Sequence, residues 1–274
     1  MTEIWLTICE DFQTACNASA LSPNPTHAYN FAMCGRYSLT TAPEAMRALF
    51  GFENLPNLPP RYNIAPTQQV AVVRTGDGTG DGSGENGGAR DLVMLRWGLI
   101  PHWAKDASMA AKMINARAET LSDKPSFRDA VKTRRCLVPA DGFYEWRMED
   151  GHKQPFRIGM KGGAPFAFAG LWECWTATAT GAGMDQGDEV ETVTIVTTAA
   201  NEKLRPIHAR MPVILPPEAF DGWLDPANDP EVACALLMPC PAEPMAFYRV
   251  SQAVNNVRND DPSCTAPLNA GASG

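Results

Sequence analysis

Seven short apolar segments, separated by stretches rich in Gly, Pro and polar residues, constrain the fold of this chain more than any other feature. Each segment is enriched in Val, Ile, Leu and aromatic residues, which favours β-strands. The segments are 69–74, 92–99, 136–146, 156–160, 166–172, 192–198 and 212–215. They do not alternate regularly with helices, as the strands of a parallel α/β sheet would. The sequence therefore predicts an α+β fold: a mostly antiparallel, barrel-like β core with peripheral helices, in a single domain.

Three further segments, 43–50, 126–135 and 217–224, favour helices. In the first, Met46, Leu49 and Phe50 share one face and Pro43 lies in the first turn. Thr40 or Thr41 is the expected N-cap.

The two ends of the chain differ from the part between them. Residues 1–33 contain no Lys or Arg, and we expect them to be disordered or not translated. Residues 34–258 are predicted to form the folded domain, with flexible loops at 76–88 and 178–187. Residues 259–274, which include Pro262, Pro267 and Gly271, are predicted to form a disordered tail.

Composition indicates a cytoplasmic protein. No apolar run reaches the 18 or more residues that a membrane-spanning helix needs. The apolar run 4–9 ends at Glu10 and Asp11 and follows no basic residue, so it is a poor signal peptide. The eight Cys include no C-x-x-C pair, which favours reduced thiols over a disulfide framework or a zinc site. We predict no cofactor and no metal.

Charge is distributed unevenly along the chain. The net charge is −8, yet residues 96–135 hold nine Lys or Arg and four acids, a local charge of +5. Three aromatic residues, Trp97, Trp103 and Phe127, lie within this segment. It could bind the phosphates and bases of a single strand, although scattered charge on a solvated face is the other reading.

The dipeptide Met33-Cys34 resembles a translation start. If Met33 were the initiator and were removed, Cys34 would carry a free α-amine next to its thiol. Such a 1,2-aminothiol condenses with an aldehyde to an imine, which the thiolate then closes to a five-membered thiazolidine. With an ordinary pKa of about 7.7–8.0, roughly a tenth or more of the amine is free base at neutral pH. Arg36 is close enough in sequence to favour the thiolate. As an internal residue, Cys34 would most often be a buried, inert thiol.

Three other clusters carry candidate chemistry. Asn115 and Arg117 offer an amide and a planar guanidinium, although a polar helix start explains them too. Glu145 lies among aromatic residues that could raise the pKa of its carboxyl, unless it is a solvated edge residue. His208 stands in a polar setting, where a lone His is more often structural than catalytic.

Taken together, these clusters resemble the SOS response-associated peptidase family. The matching segments are MCGRYSL (33–39), RYNIAPTQ (61–68), LRWGLIPHWA (95–104), INARAET (114–120), RRCLVPADGFYEW (134–146), FAGLWE (168–173), TIVTTAAN (194–201), IHARMPVIL (207–215) and WLD (223–225). The resemblance implies a compact fold with a barrel-like core and a positively charged DNA channel. It also implies binding of single-stranded DNA and covalent capture of abasic sites through an N-terminal Cys.

The resemblance implies roles for nine residues. Those of the active site would be Cys34 as nucleophile, Asn115 placing the sugar or the Cys34 backbone, Glu145 in proton transfer and His208 as acid or base. Those of the DNA interface would be Arg36, Arg117 and Arg210 on phosphates, with Trp103 and Trp146 stacking on bases or backbone. The family name also implies autopeptidase action, and a lyase activity is compatible with imine chemistry.

Two other functions remain open from the sequence. A thiol peptidase could use Cys34, His208 and Glu145 as nucleophile, base and orienting group. A non-catalytic single-strand DNA binder would need none of them. The 32 residues before Met33 are a departure from the family pattern, because they make Cys34 internal. We expect that the active molecule begins at Cys34, through translation from Met33 or through cleavage of the longer form.

Overall fold

The β core of the protein consists of one five-stranded sheet and one barrel, in a computed structural model that describes residues 35–76, 89–180 and 185–268. The strands are Tyr37–Leu39 (β1), Arg61–Ile64 (β2), Gln69–Thr75 (β3), Arg90–Trp97 (β4), Asn115–Arg117 (β5), Arg135–Ala140 (β6), Gly142–Glu149 (β7), His152–Met160 (β8), Phe166–Thr176 (β9), Glu189–Ala199 (β10), Arg210–Pro212 (β11), Ile214–Leu215 (β12) and Met245–Arg249 (β13). The α-helices are Pro43–Phe50 (α1), Ala130–Thr133 (α2), Phe220–Leu224 (α3) and Pro230–Ala235 (α4).

Five strands close into a barrel in the order β10-β4-β3-β6-β9, because β9 also pairs with β10. Four of its neighbouring pairs are antiparallel, and β10 runs parallel to β4. The barrel is therefore mixed, rather than wholly antiparallel. Strands β11, β5 and β12 extend it at its margins. Gly170 on β9 keeps its interior tight, since a Cβ there would lie 2.9 Å from Cys136 Sγ.

The second sheet packs an aromatic cluster against the barrel. Its order is β13-β8-β7-β1-β2, and every neighbouring pair is antiparallel. Tyr37 on β1 contacts Trp97 and Phe168 at ring centroid distances of 5.4 and 5.8 Å, and Phe143 lies 5.9 Å from Phe168. The predicted α+β class with a barrel-like core is thus confirmed. None of the helices in the described residues is long and apolar enough to cross a membrane.

Several local predictions need correction. The segment 136–146 is two strands that separate at Asp141, and the helix expected over 126–135 covers only Ala130–Thr133. The third predicted helix starts as a 3-10 turn at Pro217–Ala219 before α3. Helix α1 has the predicted bounds, but its N-cap is Ala42 without a side-chain bond. Thr40 and Thr41 instead donate to the carboxylate of Asp141.

The expected disordered tail is wrong for residues 259–268. Asp260 pairs with Arg61 and accepts hydrogen bonds from the Tyr62 and Asn63 amides at 2.5 and 3.0 Å. A 3-10 turn follows at Pro262–Cys264, and Cys264 is fully buried. One carboxylate that satisfies two backbone donors fixes a segment whose composition alone favours disorder. Residues 269–274, the extension 1–33, residues 77–88 of the predicted loop 76–88 and residues 181–184 of the predicted loop 178–187 lie outside the described residues.

Candidate functional site

The backbone at residues 36 and 37 lies next to β7, the strand that carries Glu145. Tyr144 donates its backbone N–H to the Arg36 carbonyl at 3.0 Å, and Tyr37 pairs with Phe143. Glu145, the next residue on β7, is only 6% exposed. Strand β7 lies between β8 and β1, so the solvated edge position considered from the sequence is wrong for Glu145. Cys34 itself lies outside the described residues.

Strands β5, β10 and β11 form a second group of predicted site residues. Asn115 and Arg117 lie on β5, which pairs in parallel with β10 at Ile195 and Thr197. Arg210, on β11 at the other side of β10, donates Nη2 to the Thr197 carbonyl at 2.7 Å. The strand pairing therefore explains why residues so far apart in sequence lie together.

His208 precedes β11 and is held through one ring nitrogen. Its Nδ1 lies 3.1 Å from the amide nitrogen of Arg210 and 3.2 Å from the Arg210 carbonyl oxygen. Nδ1 can therefore accept from the amide or donate to the carbonyl, which leaves Nε2 as the position for proton exchange.

Trp97 contacts both regions: the β1–β7 pair, which carries Glu145, and the group on β5, β10 and β11. Its ring contacts Tyr37 on β1, and its Nε1 donates to the Ile114 carbonyl at 2.9 Å, immediately before Asn115. Trp97 is completely buried, and Phe127 is 9% exposed. Their expected stacking on bases is therefore wrong, because both rings are part of the core.

The predicted DNA-binding arginines differ in how their charges are used. Arg117 is exposed, whereas Arg210 gives both terminal nitrogens to Glu119, at 2.9 and 2.8 Å. These bonds hold the pKa of the Glu119 carboxyl below its usual range. Arg36 donates to the Asn63 side chain and to the Val254 carbonyl, at 3.0 and 2.6 Å.

The two predicted stacking residues lie in different environments. Trp146 is half-buried and donates Nε1 to Asn255 Oδ1 at 2.7 Å. Trp103 is 47% exposed and lines an open depression of about 300 Å³ with Lys105 and Met109. Its Nε1 lies 3.4 Å from the Pro125 carbonyl, and no described contact links Trp103 to the two groups above.

The residues that support the site carry no motif in the sequence. Asn63 holds Arg36, Glu119 holds Arg210, and Thr197 donates Oγ1 to the Ala116 carbonyl at 3.2 Å. Asn63 and Thr197 are polar residues within strands, and both are fully buried in the structure. A polar residue inside a strand was the available sequence signal for their supporting role.

The family profile described as SOS response associated peptidase (SRAP) matches residues 33–257. The chain belongs to the SOS response associated peptidase family. A relative in Bacillus subtilis (strain 168), named abasic site processing protein YoqW, is 44% identical over 84% of this chain and 97% of its own. The Gallus gallus protein named abasic site processing protein HMCES is 37% identical over 66% of this chain and 59% of its own. A crystal structure from Bacteroides thetaiotaomicron, at 27% identity, superposes with a TM-score of 0.73 over 86% of this chain and 100% of that one.

Within this SRAP chain, the described thiols are not activated. Burial raises the pKa of Cys136, Cys174, Cys234 and Cys264, and it raises the pKa of Cys240 to about 11. A raised pKa lowers the thiolate fraction at neutral pH, and the thiolate is the nucleophile. Of the eight Cys in the sequence, this leaves Cys9, Cys16 and Cys34, and only Cys34 falls within the matched residues 33–257.

Proposed function

We propose that this protein captures abasic sites in single-stranded DNA as a covalent adduct on Cys34. The strand pairing that sets Arg36 against Tyr144, next to the buried Glu145, is the observation that carries the proposal. It places the backbone just after Cys34 beside a carboxylate shielded from water. The substrate class comes from relatives named for abasic site processing.

The proposed chemistry requires Cys34 as the first residue of the active molecule. Its α-amine adds to the aldehyde C1′ of the ring-opened sugar, and loss of water gives an imine. The thiolate then attacks the imine carbon, forming the C–S bond, and the nitrogen takes a proton. Glu145 and His208 move these protons, while Asn115 positions the sugar.

The DNA strand is held by the residues around this centre. Arg36, Arg117 and Arg210 bind phosphates, and Trp146 and Trp103 offer aromatic faces for stacking. The protein is expected in the cytoplasm and, if the cell is bacterial, to associate with the nucleoid during DNA damage.

The decisive experiment compares proteins that begin at Cys34 with an abasic single-stranded oligonucleotide on a denaturing gel. Wild-type protein and a Cys174→Ala control, which removes a half-exposed thiol elsewhere, should give a heat-stable shifted band. Cys34→Ala should give a band only after borohydride, because its amine forms an imine that cannot close to a thiazolidine. A heat-stable band from Cys34→Ala without borohydride would show that the thiol assignment is wrong.

The extension provides a second comparison. A form that retains residues 1–33 and cannot be cleaved has no α-amine at Cys34, so it should bind DNA without forming the adduct. An adduct at full rate from that form, verified by intact mass spectrometry, would contradict the proposal.

Autopeptidase action is a second candidate, because the family description names a peptidase. It predicts that the full-length protein releases residues 1–33 and that Cys34→Ala prevents this. Mass spectrometry of the purified full-length protein over time tests it, and unchanged mass in the wild type would exclude it.

A further inference from the structure

A buried asparagine connects the C-terminal segment 252–264 to two residues of the proposed DNA site. Asn63 on β2 is fully buried. Its Oδ1 accepts from Arg36 Nη1 at 3.0 Å. Its Nδ2 donates to the carbonyls of Val254, Asn256 and Asn259 at 3.1, 3.1 and 2.8 Å. One side chain therefore accepts from the Arg36 guanidinium and shares its two N–H hydrogens among three carbonyl oxygens of the segment.

The same segment holds Arg36 and Trp146 directly. Arg36 donates Nη1 to the Val254 carbonyl at 2.6 Å and Nη2 to the Asn255 carbonyl at 3.4 Å. Trp146 donates Nε1 to Asn255 Oδ1 at 2.7 Å, and the Asn255 amide group is itself held by Gln252 at 2.8 Å. Both predicted DNA contacts thus depend on where this segment lies.

These bonds leave the charge of Arg36 available for DNA. Its described partners are neutral oxygens, and it forms no ion pair with any acid in the described residues. Arg210 differs, since Glu119 already offsets its charge. The segment therefore orients Arg36 without neutralising it, which is what a phosphate contact needs.

We propose that Asn63 is a positioning residue for DNA binding, which fixes the C-terminal segment 252–264 so that its carbonyls orient Arg36 and its Asn255 orients Trp146. This inference rests on the proposed function, in which Arg36 and Trp146 contact DNA. Asn63 acts through these two residues and touches no reacting atom.

Two variants and a control test the proposal. Asn63→Asp turns an oxygen toward three carbonyls, so it should release the segment. Because it also adds a negative charge beside Arg36, Asn255→Ala is the variant that leaves the charges unchanged. Asn255→Ala removes the acceptor of Trp146 Nε1 and the bond to Gln252, both at an exposed position. Asn256→Ala is the matched control, because the one hydrogen bond of its side chain within the described residues comes from the Arg258 amide.

Three measurements separate positioning from a general structural role. They are the rate of backbone amide hydrogen exchange in residues 252–264, the Kd for an intact single-stranded oligonucleotide, and the rate of adduct formation at saturating abasic DNA. For Asn255→Ala we expect a Kd raised about 3- to 10-fold, as for one lost hydrogen bond, with the saturated rate unchanged. Asn63→Asp should raise Kd more than about 10-fold and speed exchange in 252–264 while β3 and β9 stay protected. Asn256→Ala should match the wild type.

The proposal is overturned if Kd is unchanged in Asn255→Ala, or if Asn256→Ala weakens binding equally. It is also overturned if Asn63→Asp releases the segment and still binds normally. If Asn63→Asp fails to fold, Asn255→Ala decides alone. Wild-type protein that binds the intact strand but forms no adduct would refute only the proposed function, whereas no binding at all would refute both.

Discussion

His208 is held by its own chain at one ring nitrogen, which leaves the other for the proton transfer that we propose. The amide and the carbonyl of Arg210 both lie within reach of Nδ1, so either neutral tautomer and the cation each find a partner there. A residue that gains and loses a proton during imine formation benefits from such a partner, since no rearrangement is needed. This supports a chemical role for His208.

Substitution of the proton-transfer residues should slow the reaction without loosening DNA. We expect Glu145→Gln and His208→Ala to lower the saturated adduct rate by roughly 10²- to 10⁴-fold, the usual contribution of one general acid or base. The Kd for an intact strand should change little. Single-turnover rates and fluorescence anisotropy measure the two, with the exposed His152→Ala as control. A loss of affinity as large as the loss of rate would argue for binding roles instead.

Glu119 restrains Arg210, and its removal should strengthen DNA binding. Glu119→Gln takes one negative charge from the site and frees the Arg210 guanidinium, so Kd should fall several-fold. Asp129→Asn, which breaks an exposed pair with Lys132 in the same basic segment, is the control. Unchanged or weaker binding by Glu119→Gln would show that Arg210 needs its partner in order to contact phosphate.

The same pair predicts a pH effect of known sign. Because the pKa of Glu119 is depressed in the folded protein, the stability it contributes is fully present above the ordinary value of about 4.3. It is lost as pH falls through the depressed value. Denaturant titrations of wild type and Glu119→Gln should therefore differ at neutral pH and converge in acid.

At the scale of elements, Asp141 fixes the bend between β6 and β7. It is 3% exposed, accepts from the hydroxyls of Ser38 and Thr40 at 2.7 Å each, and pairs with Arg157 at 2.9 Å. Gly142 leaves the room that Arg157 needs, since a Cβ there would lie 2.5 Å from its Cζ. The bend sets where β7, the strand that carries Glu145, begins.

Gly142→Ala should destabilise the protein through this bend. A Cβ there would push the Arg157 guanidinium away from the buried Asp141 carboxylate, and full loss of this pair would cost about 3–5 kcal/mol. Urea denaturation measures the free energy of unfolding. Gly222→Ala in α3, where a Cβ would meet only Leu236 at 3.4 Å, is the comparison and should cost far less. Equal stabilities would mean that Arg157 moves aside without loss.

Elements with a strong local pattern could be predicted from the sequence, whereas short strands without one could not. Helix α1 has its predicted bounds, because Pro43 and an apolar face act locally. Strands β1, β2 and β5 are three or four residues long and are stabilised by distant partners, so no local period identifies them.

Candidate site residues were found by motif and chemistry, not by burial. Nothing in the sequence separates Arg135 from Arg117. Yet Arg135 is 2% exposed and donates to the carbonyls of Val131, Lys132 and Trp223, while Arg117 faces solvent. Only tertiary packing decides which arginine can reach a phosphate.

At the scale of the whole molecule, not all basic residues of 96–135 are available to DNA. Arg135 is buried and Arg134 pairs with Glu173, so the local charge of 96–135 overstates its electrostatic attraction. The exposed cations that remain are Lys105, Lys112, Arg117, Lys124, Arg128 and Lys132.

Binding should therefore show a moderate salt dependence and a preference for single strands. With roughly four phosphates neutralised, log K should fall with log salt at a slope of about −3. Exposed Trp103 should favour unpaired bases over duplex. Titrations of matched single-stranded and duplex oligonucleotides at several salt concentrations measure both. A flat salt response with equal affinities would argue against this interface.

The parallel seam between β4 and β10 has a consequence for how the molecule folds. This pairing brings Arg96 and Trp97 next to Thr192 and Val193. All of the chain from β5 to β9 lies between the two strands in sequence, so it forms the loop that this pairing closes. Loop closure over such a distance is costly, which favours late formation, after hairpins such as β9–β10. Thr192→Ala, which removes the acceptor of the Ile100 amide at the seam, should then speed unfolding while leaving the refolding rate almost unchanged. Stopped-flow measurements of both rates would reveal whether closure precedes or follows the rate-limiting step, and slower refolding would place the seam in the folding nucleus.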